Sequence, residues 1–179
     1  MKIILLLLAC LVFANCQYNR TDYCLNYDLR LDINPSLLLG EWYPISVDTN
    51  ELFNWDCHKF TISRVSDKVS RVSLMNMLTN EEYSFDSWVS KRLNSYVSDF
   101  EGVRTLDTVI DTDYTSYVVV ISCYEFEDGR SYHATILSRT MTLPDDLVTR
   151  LQNLVLTTFN KKFEFRRVRL NECSSSTMF

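Results

Sequence analysis

From Trp42 to about Thr140 the chain is a succession of short segments in which polar and apolar residues alternate, broken by turn residues at intervals of roughly ten. A period of two sends successive side chains to opposite faces of a strand, so each segment has one face to bury and one to leave wet or pack separately. Phe60 and Ile62 alternate with Lys59 and Thr61. Ser66-Asp67-Lys68 turns into a segment from Val69 to Leu78, and Thr79-Asn80-Glu81 into one from Tyr83 to Val89. Further segments run from about Leu93 to Phe100, Val103 to Ile110, Thr115 to Tyr124 and Ser131 to Arg139. The connection Glu127-Asp128-Gly129-Arg130 offers a glycine where a hairpin would call for a positive φ. About eight strands linked in this way close most simply into an up-and-down barrel, which leaves no exposed edge.

The pattern changes once. After Leu143, Pro144 fits a first helical position, and Asp145 and Asp146 suit the positive end of a helix dipole. Leu147, Leu151, Leu154 and Val155 recur at helical spacing, with Phe159 prolonging the stripe. The reading is therefore all-β: an eight-stranded antiparallel up-and-down β-barrel with one C-terminal helix of about four turns packed on its outside. Lys162 to Leu170 returns to strand-like alternation, and Cys173 is placed to staple that tail.

The first residues have a different character. Lys2 precedes an apolar run from Ile3 to Phe13 and small residues around Ala14, the pattern of a secretory signal peptide over residues 1–16. Ala14 and Cys16 hold the −3 and −1 positions of a cut before Gln17, and a cut after Ala14 would instead keep Cys16. Leu7-Leu8-Ala9-Cys10, read as a lipoprotein box, leaves too short an apolar core before it. Residues 17–179 then form one domain, and about 160 residues suffice for a single core. The net charge of −5 argues against nucleic acid and anionic membranes as partners, and no membrane insertion is expected. Cys24, Cys57, Cys123 and Cys173 form an even set with no C-x-x-C spacing, which reads as two disulfides in one of three connectivities rather than a metal site. Asn19-Arg20-Thr21 is an acceptor for N-glycosylation.

Three separated signatures carry a family resemblance. Gly40-Glu41-Trp42 opens the first strand, Thr112-Asp113-Tyr114 precedes the seventh, and Arg139 closes the eighth just ahead of the helix. In this order and spacing the chain resembles the lipocalins, over essentially its whole length after the leader. Their physical rationale is barrel closure. A large ring at the narrow end has one face open, a guanidinium laid on it gives a cation–π contact, and Thr112 and Asp113 suit a tight connection bonded to its own backbone. The four cysteines look like those of the insect and apolipoprotein D-like, bilin-binding-type branch, which implies the pairs Cys24–Cys123 and Cys57–Cys173.

The resemblance implies a carrier whose open end takes a small hydrophobic molecule, such as a linear tetrapyrrole pigment, a retinoid or a lipid-like ligand, held without a covalent cofactor. By the family's alignment Leu137, Thr135, His133, Val118 and Val120 face the pocket, joined by Phe60 and Ile62 on the second strand and Val72 and Leu74 on the third. Phe85 and Trp88 fall on opposite faces of their strand, so one at most is inside. His133 facing the cup would hydrogen-bond a ligand carboxylate, lactam or propionate, or ligate haem iron; His58, beside Cys57, is placed outside. The alternative is a secreted interaction protein, one that inhibits a protease or captures a biogenic amine through open-end loops, where acidic Asp48, Glu51 and Asp56 lie near Phe53 and Trp55. An enzyme is not expected: no nucleophile–base arrangement, phosphate loop or metal spacing stands out, and the free cavity thiol on which enzymatic lipocalins rely would here be disulfide-bonded.

Overall fold

The structure, a computed structural model, describes Cys24 and residues 33–51, 53–90, 95–100, 102–126, 129–159 and 162–173. The leader at 1–16 and the acceptor Asn19 lie outside them. After a 3-10 turn at Pro35–Leu37 come eight long strands: β1 (Gly40–Asp48), β2 (His58–Arg64), β3 (Val69–Asn76), β4 (Glu82–Val89), β5 (Ser95–Phe100), β6 (Val103–Thr112), β7 (Tyr117–Glu125) and β8 (Arg130–Ser138). A helix, α1 (Asp145–Thr158), and a short strand, β9 (Phe165–Arg167), follow. Each strand from β2 to β7 pairs antiparallel with the next, and β1 pairs with both β2 and β8, so the barrel is closed. The expected architecture holds.

Two irregularities shape it. Pro44 cannot donate to a ladder, and β1 slips in register against β8 between Pro44 and Ser46. Beyond the slip β1 also turns its far edge to β9, pairing Ser46 with Arg167 and Asp48 with Phe165. The second slip lies in β6, between Val109 and Asp111. A bulge of this kind inserts one residue and reverses which face each later side chain takes.

The helix packs over β7, β8 and β1. Val148, Leu151 and Val155 are its buried residues and, with Phe159 just past its end, are set against Ile45, Val119, Ile121, Ala134 and Ile136. Burial of that size contributes about 1.5 to 3 kcal/mol per side chain. Leu147 and Leu154 are only half-buried, so the inner stripe is centred on Val148 rather than on the leucines the sequence favours. Pro144 caps the helix from outside instead of occupying its first turn, and Asp145 pairs with Arg167. Gln152 Nε2 donates to the fully buried Ser46 Oγ at 2.9 Å, which keys the helix to β1. Gly129, expected at positive φ, does not adopt it; among the described residues the positive-φ positions are Gly40, Gly102, Cys57, Asn80 and Tyr114.

Two disulfides tie both ends of the described chain to the barrel. They join Cys24 with Cys123 and Cys57 with Cys173 across sequence separations of 99 and 116.

Candidate functional site

One end of the barrel is plugged. Trp42 is fully buried, and its Nε1 donates to the Leu38 carbonyl at 2.7 Å. The Arg139 guanidinium lies 3.6 Å over the centre of the indole. Its nitrogens donate to the carbonyls of Glu41 (3.0 Å), Leu37 (3.0 Å) and Tyr114 (3.2 Å). The neighbouring glycine is required twice over: Gly40 has φ 104°, and a Cβ there would meet Arg139 Nη1 at 3.0 Å. Thr112 Oγ1 donates to the Tyr117 carbonyl at 2.6 Å and accepts from Tyr114 N at 2.9 Å. Burial works against the Asp113 charge, yet donors from Ser116, Tyr117 and Thr115 more than offset it and hold this carboxyl below its ordinary range.

Above the plug is a cavity of about 410 Å³, within the range of small-molecule sites. Trp42 forms part of its floor, and the loop bearing Glu51, Phe53 and Trp55 borders it at the other end. Phe60 and Ile62 of β2, Val72 and Leu74 of β3, Val118 and Val120 of β7, and Thr135 and Leu137 of β8 all line it. Phe85 and Tyr83 of β4 and Tyr96 of β5 complete an aromatic wall, whereas Trp88 is 44 % exposed on the outer face. Phe53 and Trp55 pack as tilted rings 4.5 Å apart between centres, and Trp55 stands 5.0 Å from Phe60.

His133 departs from the sequence reading. It shares the parity of Thr135 and Leu137 but does not line the cavity. Glu51 and Tyr124, which do line it, pack on the imidazole, and no surface of the ring is exposed. Serine and histidine share a hydrogen bond of 2.6 Å, Ser131 Oγ to His133 Nε2. Nδ1 has no hydrogen-bond partner; it stands 3.8 Å from Glu51 Oε2 and 4.0 Å from Asp48 Oδ2. Burial lowers the His133 pKa, outweighing the pull of Asp48, and leaves the ring neutral at physiological pH. An enclosed ring of this kind offers no approach to haem iron. Among the described residues no His/Cys/Asp/Glu group is arranged to hold a metal ion. His58 does not line the cavity either; it is buried, bonded through Nδ1 to the Asp56 carbonyl at 2.8 Å and packed on Phe53.

The acidic loop divides in the same way. Asp48 is 2 % exposed and holds the Asn50 backbone and side chain. Asp56 bonds Arg166 at 2.8 Å and Arg169 at 3.2 Å; burial opposes its charge, and these partners still lower its pKa. Glu51 alone of the three borders the cavity.

A second acid, which alternation did not reveal, faces it from β6. Counting back in twos from Thr112 would point Asp107 outward. The slip between Val109 and Asp111 reverses the parity and brings Val103, Thr105, Asp107 and Val109 inside. Ser122 Oγ of β7 donates to Asp107 at 2.6 Å. Burial raises the Asp107 pKa from 3.8 to about 6, against that hydrogen bond. Tyr124 lies between the two acids electrostatically: burial first, then the charges of Glu51 and Asp107, push its pKa well above the ordinary value.

A raised folded-state pKa on an acid means that its contribution to stability is complete below the unfolded value of 3.8 and is lost as pH rises through about 6. Ionised Asp107 therefore costs the empty protein on the order of 1 to 3 kcal/mol at neutral pH, allowing for the partial access of water through the cup. Asp107→Asn is expected to raise the urea midpoint at pH 7.5 and to leave it unchanged at pH 4; a variant less stable than the parent at pH 7.5 would contradict this.

Comparison with known proteins agrees with this geometry. The profile of the lipocalin / cytosolic fatty-acid binding protein family matches residues 59–169. No curated protein sequence matches the chain. Among solved structures, lobster apocrustacyanin A1 superposes with a TM-score of 0.62 at 17% identity, over 76% of this chain and 79% of that one. The siderocalin Ex-FABP gives 0.60 at 17% identity, over 74% of this chain and 94% of that one. Apocrustacyanin C1 gives 0.60 at 18% identity, over 92% and 84%. At such identities the likeness is one of fold. With the profile spanning more than half of its residues, the chain belongs to the lipocalin / cytosolic fatty-acid binding protein family.

Proposed function

We propose that this lipocalin is a secreted, non-enzymatic carrier of a small hydrophobic ligand held in the barrel cavity. The observation that carries this reading is the cavity itself: about 410 Å³ of space inside a closed barrel, its surface mostly aromatic and aliphatic, with hydroxyl and carboxyl groups among the lining to orient a guest. The residues expected to contact ligand are Phe60, Ile62, Val72, Leu74, Val118, Val120, Thr135 and Leu137, with Phe53, Trp55 and Phe85 added by the structure. Apolar burial, at about 25 cal/mol per Å² of ligand surface, supplies the affinity. A linear tetrapyrrole, a retinoid and a lipid-like molecule are the candidate classes. One structural relative is described as a siderocalin with dual ligand specificities, which fits a cup open to different guests.

Secretion is supported by the apolar run after Lys2 and by two disulfides, which persist in oxidising compartments. Residues 1–16 are then the leader, 17–179 the single domain, and Asn19 a glycan acceptor. Asp48 and Asp56 are committed to contacts within the fold, so the open-end loop gives no support to protease inhibition or surface capture of an amine.

The test is a fluorescence titration with N-phenyl-1-naphthylamine, an apolar probe uncharged at pH 7.5. Binding of about one probe per chain in the micromolar range or tighter is expected, and Val120→Trp, which fills the cup, is expected to weaken it roughly tenfold or more. No emission enhancement, or an affinity indifferent to Val120→Trp, would count against the carrier reading.

A further inference from the structure

Most of the cup's polar groups lie on β3 to β7, and five of them form a row. The register sets Ser70 beside Ser87, Ser87 beside Ser98, Ser98 beside Thr105 and Thr105 beside Tyr124, one hydroxyl residue on each of five consecutive strands. Residues directly opposite one another in a sheet share a face, so the row runs along the inner wall, and all of it except Ser98 lines the cavity. Ser98, at its centre, is wholly buried, and its Oγ has no hydrogen-bond partner, so in the empty cup the row is short of polar partners. Across the closed barrel β1 and β2 line the same space with Trp42, Phe60 and Ile62 alone, and the Trp42 N–H is already taken by the Leu38 carbonyl.

A second observation concerns Asp107, two residues from Thr105 on the same face of β6 and paired with Tyr96 of β5 and Ser122 of β7. It lines the cavity and is only half-buried, so a guest can reach it. Ser122 Oγ gives its carboxyl one hydrogen bond, whereas an ionised carboxylate has room for about four. Burial, opposed by that single bond, raises the Asp107 pKa to about 6.

The wall therefore suits a group that donates to Asp107 and accepts from the hydroxyls beside it. A hydroxyl does both. An ether or ketone oxygen only accepts, and a carboxylate brings a second negative charge to Asp107. An ammonium donates, but its hydration is lost in the cup, and a lone buried ion pair gains little over that loss. We infer that the ligand is a neutral amphiphile whose hydroxyl donates to Asp107 and accepts from the adjoining hydroxyl row, with its apolar body against Phe60 and Ile62. The inference rests on the carrier reading and deepens it: of the candidate classes, lipid-like alcohols come first and guests bearing carboxylates last.

The test uses four probes with one apolar body, 4-phenylbutanol, its methyl ether, 4-phenylbutylamine and 4-phenylbutanoate, each titrated at pH 7.5 against the full disulfide-bonded protein by displacement of N-phenyl-1-naphthylamine. The alcohol is expected to bind about fivefold or more tightly than the ether, although the ether is the more apolar, and more tightly than the amine or the carboxylate. Asp107→Asn exchanges a charged acceptor for a neutral one and is expected to cut the alcohol's advantage over the ether to about twofold or less, with no loss of ether binding, which also shows that the variant is folded. In the parent that advantage is expected to shrink as pH falls from 7.5 to 4.5, because a protonated Asp107 donates to alcohol and ether alike. The other titratable groups around Asp107 are Tyr96 on β5, Tyr124 on β7, Glu51 of the loop and His133, beside Ser122 on β8. Both tyrosines titrate above their ordinary range, and Asp107→Asn, which keeps Glu51 and His133, is expected to lose the pH dependence. An ether as tight as the alcohol, an amine or carboxylate tighter than it, or an advantage unmoved by both Asp107→Asn and pH would overturn the inference while the carrier reading stood. Failure of the fluorescent probe and all four ligands to bind would overturn both.

Discussion

Removing the Cys57–Cys173 disulfide by the double substitution Cys57→Ser/Cys173→Ser is expected to lower the unfolding free energy by about 3 to 5 kcal/mol, a large part of what a domain of this size has. The bond spans a separation of 116 residues and fastens the tail that follows the helix. Phe163 and Leu170, both buried in the core beneath the helix, lie on that tail, and β9 hangs from β1 by three residue pairs. Without the crosslink the unfolded chain regains loop entropy, and the tail is held by these contacts and by the bonds of Arg166 and Arg169 to Asp56. The Cys24–Cys123 bond closes a separation of 99, and the logarithm makes its chain-entropy contribution smaller by only about 0.1 kcal/mol. Any larger gap between the two double variants therefore reports what each bond does in the folded state. Urea unfolding measures it, with an increased m-value expected as the unfolded chain expands. An unchanged midpoint for Cys57→Ser/Cys173→Ser would show that the tail is secured by its contacts alone.

Trp42→Ala is the second large effect, at about 3 to 5 kcal/mol, or on the order of 10 °C in Tm. The ring is completely enclosed, so its loss opens a void at the base of the barrel and leaves the Leu38 carbonyl without its 2.7 Å donor. Arg139→Ala is expected to cost less, about 1 to 3 kcal/mol, by freeing three carbonyls and uncovering the indole. The two side chains touch, so the double variant should cost less than the sum, with a coupling of about 0.5 to 2 kcal/mol. Lysine at 139 should not rescue, since an ammonium cannot reach three carbonyls in a plane. Strict additivity in calorimetric melts would contradict closure by this pair.

What the sequence made legible follows the regularity of each element. Val118, Val120, Thr135 and Leu137 lie in uninterrupted pairing between β7 and β8, so parity counted from Arg139 remains valid along both strands. Phe60, Ile62, Val72 and Leu74 are likewise in continuous β2–β3 register. Asp107 was hidden because one extra residue in β6 inverts parity, and a bulge has no distinctive side-chain signature in the stretch Thr108-Val109-Ile110-Asp111. His133 obeys its parity, and a covering layer from another loop, Glu51, together with Tyr124 removes it from the cavity; alternation gives the face of a side chain, never what lies over it. Leu151, Val155 and Phe159 of the expected helix stripe are buried, and Val148 joins them while Leu147 and Leu154 are only half-buried, because apolar residues at neighbouring positions leave the centre of the stripe open to more than one reading.

The central claim is that guests enter the barrel and not the grooves outside it. Methyl-labelled NMR during titration with 4-phenylbutanol addresses this directly. The account predicts that shifts concentrate on the methyls of Ile62, Val72, Leu74, Val118, Val120 and Leu137, which line the cavity, while Val148, Leu151 and Val155 beneath the helix stay still. Shifts confined to exposed Val65, Leu78 and Leu156, with the cavity methyls unmoved, would contradict it.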